Sequence, residues 1–215
     1  MKQLILIRHG EAEHLLSGLV GGWTDTKLTE RGRQQAKCTG ERLLERFANV
    51  SVNLCSSDLS RASETAEIIG SVLSKDPILY EELRELNNGL AANLSAEDAK
   101  KIRNPITEPV IDWVPYPQAE SWMLMFVRLS AFMDKLINNN DDDVIILVSH
   151  GNAIISLIHY WLEFSTEMFK ISFDIQPCSI TSLRVNKWSE KTISKLNDTS
   201  HLENKGIATT DIYFS

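Results

Sequence analysis

Two apolar runs far apart in the chain end the same way. "LILIRHG" (4–10) and "IILVSHG" (145–151) each lead a hydrophobic stretch into a polar residue, a histidine and a glycine. Short continuous apolar runs suit strands covered on both faces, as the central strands of a parallel sheet are. Parallel strands bring their carboxyl ends to one rim, and in open α/β sheets ligands bind at that rim. The pattern therefore predicts a sheet whose rim gathers Arg8, His9 and His150, joined by Arg61 where a third strand end leads into it.

The intervening chain supports such a sheet. Residues 49–57 alternate Val50, Val52 and Leu54 before ending in serines, a second strand running out to the same rim. Thr29 can cap a helix over 30–47, with Ala36, Leu43, Leu44 and Phe47 at helical spacing. Asp58 is the expected cap of a helix to Leu73 that carries Arg61 in its first turn. A long helix over 121–137 begins at Glu120 or Ser121 and packs Met123, Met125, Phe126, Phe132 and Met133 toward the core. Residues 179–186 and 191–197 read as a terminal antiparallel hairpin. Strands separated by helices define an α/β class, a three-layer α/β/α sandwich with a mainly parallel sheet and an antiparallel edge.

A chain of 215 residues with 43% hydrophobic content suits one core, so residues 1–215 are expected to form a single domain. Residues 74–120 hold five of the six prolines and read as an insertion or lid over the sheet. The net charge of −7 provides no global positive field for nucleic acid or an anionic membrane. No run approaches a membrane span and no cleavage signal follows the first strand, so a cytoplasmic location is expected. Cys38, Cys55 and Cys178 form no C-x-x-C pair and read as small buried hydrophobes. His159 and His201 read as a helix-face and a surface position.

Two permanent charges and two imidazoles at one rim suit a phosphoryl group. Arg8 and Arg61 each offer a planar fork of donors matched to phosphate oxygens. A neutral imidazole is a competent nucleophile for phosphorus, and glycine after each histidine would let a backbone amide approach an oxyanion. In "ELRELNNG" (82–89), Glu85 is the candidate acid for the leaving oxygen. His9, Glu11, Glu13 and His14 also invite a metal site, but their spacing is not H-E-x-x-H and a nucleophilic His9 would be unavailable as a ligand. Neither metal nor cofactor is expected. Trp23 and Asp25 are expected near the rim.

"RHGE" (8–11), "GGWTDTKLTERGRQQA", "CSSDLSRASETA", "LRELNNG", "ESWMLMFVR", "LVSHGNAI" and "PCSITSL" occur in this order along most of the chain. The set resembles the histidine phosphatase superfamily, in its phosphoglycerate-mutase-like branch. The resemblance implies His9 as the phosphorylated nucleophile, Arg8 and Arg61 as the phosphate clamp, and Glu85 as acid and then base. His150 would donate to the transferring phosphoryl, with the Gly151 amide adding to it, and Glu120 would lie on the substrate side. Two positions depart from the family pattern: Gly89 is followed by "LAANLS" rather than Trp-Glu-Gly, and Leu15 stands where Asn is common.

The expected function is a metal-independent phosphomonoesterase that acts through phosphohistidine on a small phosphorylated metabolite. A phosphoglycerate mutase and a catalytically silent phosphate-binding module are the alternatives. Family mutases carry a longer insertion than residues 86–119, which favours the phosphatase.

Overall fold

The computed structural model describes residues 3–209. Its strands are β1 (Gln3–Arg8), β2 (Val52–Ser57), β3 (Ile78–Tyr80), β4 (Val144–Ser149), β5 (Ile180–Val185) and β6 (Lys191–Asp198). Its α-helices are α1 (Glu13–Ser17), α2 (Glu30–Phe47), α3 (Ser60–Leu73), α4 (Ala96–Lys101), α5 (Trp122–Asn138), α6 (Gly151–Trp161) and α7 (Ser200–Glu203). The six strands form one sheet of order β3-β2-β4-β1-β5-β6. The first four in that order are mutually parallel, and β5 and β6 add an antiparallel edge.

The central strands are covered on both faces because their side chains alternate between two apolar layers. Leu4, Leu6, Ile145 and Leu147 face α5 and α6, where Met125, Leu129, Ile154 and Ile158 meet them. Ile5, Ile7, Ile146 and Val148 face α2 and α3 through Leu43, Phe47, Ala66 and Ile69. No helix among the described residues is long and apolar enough to cross a membrane.

Several local expectations change. β3 pairs with Cys55–Ser57 at the sheet edge, so the 74–120 segment begins inside the sheet before it leaves it. Leu44 is 40% exposed, whereas Ala36, Leu43 and Phe47 are buried. Asp58 does not cap α3. Its carboxylate takes two bonds from Arg84, at 2.7 and 2.6 Å, and the helix is capped from a distant loop. There Asp25 accepts from Ser60 N and Ser60 Oγ, both at 2.8 Å. His201 is buried rather than on the surface, 3.0 Å from Thr39 Oγ1. Thr39 already donates to the Gln35 carbonyl, so the imidazole is the donor of that pair. All three cysteines are free and buried.

Candidate active site

In-register pairing of β1 with β4 builds the site. Arg8 lies opposite Ser149, so the next residues, His9 and His150, leave the sheet at the same level. His9 N donates to Ser149 O at 2.9 Å, and the two rings stand edge to face with centroids 5.1 Å apart. β2 ends beside β4, and its Ser57 hydroxyl sits 2.9 Å from His150 Nε2. Arg61 reaches in from the first turn of α3 and is 1% exposed. The four rim residues expected from sequence therefore converge.

The hydrogen bonds assign the His9 tautomer. Nδ1 lies 2.7 Å from the Gly10 carbonyl, which can only accept, so Nδ1 carries the proton. Nε2 then holds the lone pair, and Arg61 Nε donates to it at 3.2 Å. Arg61 Nη1 and Nη2 donate to the Thr24 and Gly22 carbonyls, both at 2.7 Å, and fix the guanidinium plane. Arg8 Nη1 donates to Ile175 O at 2.6 Å.

The electrostatics keep the imidazoles neutral. Burial, followed by the charges of Arg61 and Arg8 and by His14, holds His9 well below the ordinary imidazole range, and its bond to Gly10 opposes that only in part. His150 is lowered in the same way, by burial first and then by Arg61, His9, Arg8 and His14. Burial lowers Arg61 to about 10, which leaves it charged at neutral pH.

Glu85 is buried and joins the same group. Its Oε1 accepts from Leu86 N at 2.8 Å and its Oε2 from Asn152 N at 3.1 Å, so the carboxylate sits on the first turn of α6. Its backbone is anchored as well. Trp23 Nε1 and Arg128 Nη2 both donate to Glu85 O, and Arg128 Nη1 donates to the Glu82 and Arg84 carbonyls. Ser149 Oγ ties Leu83 O to the end of β4.

Other expected residues have structural work. Gly10 N donates to Thr65 Oγ1 at 3.0 Å, so this amide is already engaged and does not face an incoming oxyanion. The residue must be glycine because a Cβ would stand 2.6 Å from the Gly32 carbonyl oxygen. A Cβ at Gly151 would lie 3.8 Å from Arg8 Cζ, an ordinary contact, so space alone does not require glycine there. Glu11 turns to Thr29 Oγ1 and Arg31 at the start of α2. Glu120 pairs with Arg128 and accepts from Asn87 N, while Ser121 caps α5 through Leu124 N. Glu120 supports the Glu85 backbone through Arg128. Trp23 and Asp25 brace Glu85 and Arg61 in the same way, with the Arg84 guanidinium 4.7 Å above the Trp23 ring.

Several cleft residues, His14, Asn88 and Asn152 among them, escaped the sequence reading. His14, on α1, lines a cleft of about 370 Å³ with Arg8, His9, Arg61, Glu85 and Asn152. Its ring centroid is 5.8 Å from that of His9, and its Nδ1 is 2.8 Å from Thr26 Oγ1. Burial, with Arg61 and Arg8, lowers it to about 3. The only signal was its place in the histidine–carboxylate cluster beside "RHGE", which the structure splits by sending Glu11 away. Leu15, at the position where the family commonly has Asn, also lines this cleft.

A three-layer α/β/α sandwich with two histidines and two arginines at the ends of its parallel strands is the architecture of one phosphatase and mutase family. The chain belongs to the histidine phosphatase superfamily (branch 1), which it matches over residues 4–199. It is 32% identical over 161 residues to a probable phosphoglycerate mutase of Photorhabdus laumondii, covering 74% of each chain. Among solved structures it resembles a phosphoserine phosphatase of Entamoeba histolytica, in complex with 3-phosphoglyceric acid, at 28% identity and a TM-score of 0.71. That match covers 94% of this chain and 100% of the other. A mycobacterial glucosyl-3-phosphoglycerate phosphatase shares the fold at 24% identity and a TM-score of 0.79, over 93% of this chain and 100% of the other.

Proposed function

We propose that the protein is a metal-independent phosphomonoesterase acting through a phosphohistidine on a small phosphorylated metabolite. The observation that carries this reading is the His9 tautomer. With Nδ1–H bound to Gly10 O, Nε2 carries the lone pair, on the side of the ring where Arg61 Nε donates to it. Nε2 attacks phosphorus, the N–P bond forms and the ester P–O bond breaks. Glu85 gives its proton to the departing alkoxide. In the second half a water loses a proton to Glu85 and attacks phosphorus, breaking the N–P bond and releasing phosphate. Arg8 and Arg61 neutralise the charge on the transferring group, and His150 with the Gly151 amide adds donors.

The test is hydrolysis of a panel of phosphomonoesters with a chelator present, wild type beside His9→Ala. A rapid alkaline quench reports base-stable phosphohistidine. A His9-dependent rate with a trapped phosphoenzyme supports the reading, and full activity in His9→Ala sinks it.

The name of the Photorhabdus relative favours a second reading, a phosphoglycerate mutase. In that case the phosphohistidine returns its phosphoryl group to a bound phosphoglycerate faster than to water. Transfer from a bisphosphoglycerate to monophosphoglycerate that outruns hydrolysis would establish it. Saturable phosphate binding without any phosphoenzyme would instead leave a silent binding module.

A further inference from the structure

An apolar hollow lies one helical turn from the cleft. It has a volume of about 560 Å³ and is lined mainly by Val110, Ile111, Trp122, Ile155, Phe169 and Ile171. Val110 is 53% and Ile171 40% exposed, so apolar side chains border it without burying one another. Its two charged residues, Glu167 and Lys170, are themselves exposed.

This cavity and the polar cleft share two walls. On α6, Asn152 lines the cleft and Ile155 lines the cavity, three residues and thus about 5 Å apart on one helix face. The second wall is the pairing of residues 87–88 with 120–122, held by Glu120 N to Asn87 O at 3.0 Å and by Asn87 N to the Glu120 carboxylate. Asn88 on this wall faces the cleft and Trp122 faces the cavity. Glu85, the proton donor of the proposed reaction, is bound to Asn152 N. The leaving oxygen must come within hydrogen-bond reach of Glu85, hence to the first turn of α6, and Ile155 stands one turn further along that helix.

We infer that this cavity receives the alcohol half of the substrate, and that the substrate class is monoesters of apolar alcohols, aromatic or branched. The inference rests on the phosphatase reading for which bond is broken. It follows from a concave apolar surface of ligand size placed beside a few convergent polar groups. The cleft takes the charged phosphoryl, and the cavity takes the group that gains from leaving water.

The experiment compares 2-(1-naphthyl)ethyl phosphate with ethyl phosphate, two esters whose leaving oxygens are both primary alkoxides. Turnover is measured with wild type, Val110→Asp and Ile171→Asp, substitutions at exposed positions whose folding is checked by thermal melts. Binding is read without turnover by titrating both esters into His9→Ala protein. The expected result is that the naphthyl ester is preferred by about tenfold or more in both kcat/KM and Kd, as burial of several apolar carbons predicts. Each Asp variant should remove most of that preference. Turnover of both esters without a preference, or variants that change both alike, overturns the inference and leaves the phosphatase standing. Tighter naphthyl binding with no turnover retains the cavity and sinks the phosphatase. Equal binding of the two esters overturns the inference whatever the turnover.

Discussion

Arg61 Nε lies 3.2 Å from His9 Nε2, on the one ring nitrogen that the Gly10 carbonyl leaves without a proton. One guanidinium thus aims the imidazole and supplies positive charge beside it. Burial and then the same charge disfavour protonation of His9, so Nε2 keeps the lone pair that accepts from Arg61. Arg61 is in turn held by two loop carbonyls, so the aim of the His9 ring depends on residues 22–24 as well as on the strand that precedes it.

Replacement of Arg61 by Lys keeps a charge but loses the planar fork that bonds Gly22, Thr24 and His9 together. A fall in kcat/KM of about 10²-fold is expected, the usual size for loss of one preorganised donor group. Steady-state kinetics on any hydrolysed ester measures it, and an unchanged value would contradict the role given to the guanidinium.

Glu85→Gln keeps an acceptor for only one of the Leu86 and Asn152 amides, turns its NH2 toward the other, and removes the proposed proton source. Alkyl esters should slow by about 10²- to 10⁴-fold, the range for general acid catalysis. Nitrophenyl phosphate, whose leaving group needs no proton, should slow far less in the first step. Equal losses on both esters would show that Glu85 is not the acid.

Arg128 touches no reacting atom; it positions Glu85 through the carbonyls of Glu82, Arg84 and Glu85 and its pair with Glu120. In Arg128→Lys the fork is lost, and kcat is expected to drop about tenfold with KM little changed, as for a misplaced catalytic group. The loss should be confined to esters with poor leaving groups. A uniform loss across leaving groups would mark a purely structural residue.

His9, His14, His150 and His201 are all held below the ordinary imidazole value by burial, His14 to about 3 and His201 to about 4. The unfolded chain therefore takes up protons near pH 6.5 that the folded chain refuses until lower pH. Stability is full above about pH 6.5 and falls as pH drops below it, by up to about 1.4 kcal/mol per pH unit for each histidine. Melts between pH 7.5 and 4 should show this slope, and His14→Gln should make it shallower. By the same shifts, kcat/KM should lack the loss near pH 6.5 that protonation of an ordinary imidazole nucleophile would cause.

Asp25→Ala removes the carboxylate that caps α3 at Ser60. A loss of about 1 kcal/mol is expected from the cap alone, read from denaturant midpoints. Because Arg61 sits one residue after Ser60, KM should rise too; a stability loss with unaltered kinetics would separate the cap from the site.

Much of the fold and the centre of the site is legible along the chain. The apolar runs of β1 and β4, the Thr29 cap of α2 and the final hairpin are local patterns, set by side-chain period and backbone preference within a few residues. Arg8, His9, Arg61, His150 and Glu85 could be singled out because each adjoins such a pattern or a recognisable motif. Asp58 looked like a cap for the same local reason, and it failed because Arg84, 26 residues away, binds it more strongly than a helix end does. Other features depend on pairings across the fold. The β1–β4 register sets the His9 and His150 rings beside each other, the Gly10–Gly32 approach demands a bare backbone, and α6 supplies an amide to Glu85. His14 enters the cleft while its neighbour Glu11 turns away, a choice made by Thr29 and Arg31 rather than by anything in "RHGE" itself. Residue types and spacing determined which elements form and which chemical groups are present. Hydrogen bonds and packing between distant segments, invisible to any local pattern, decided where those groups point and which nitrogen holds the proton.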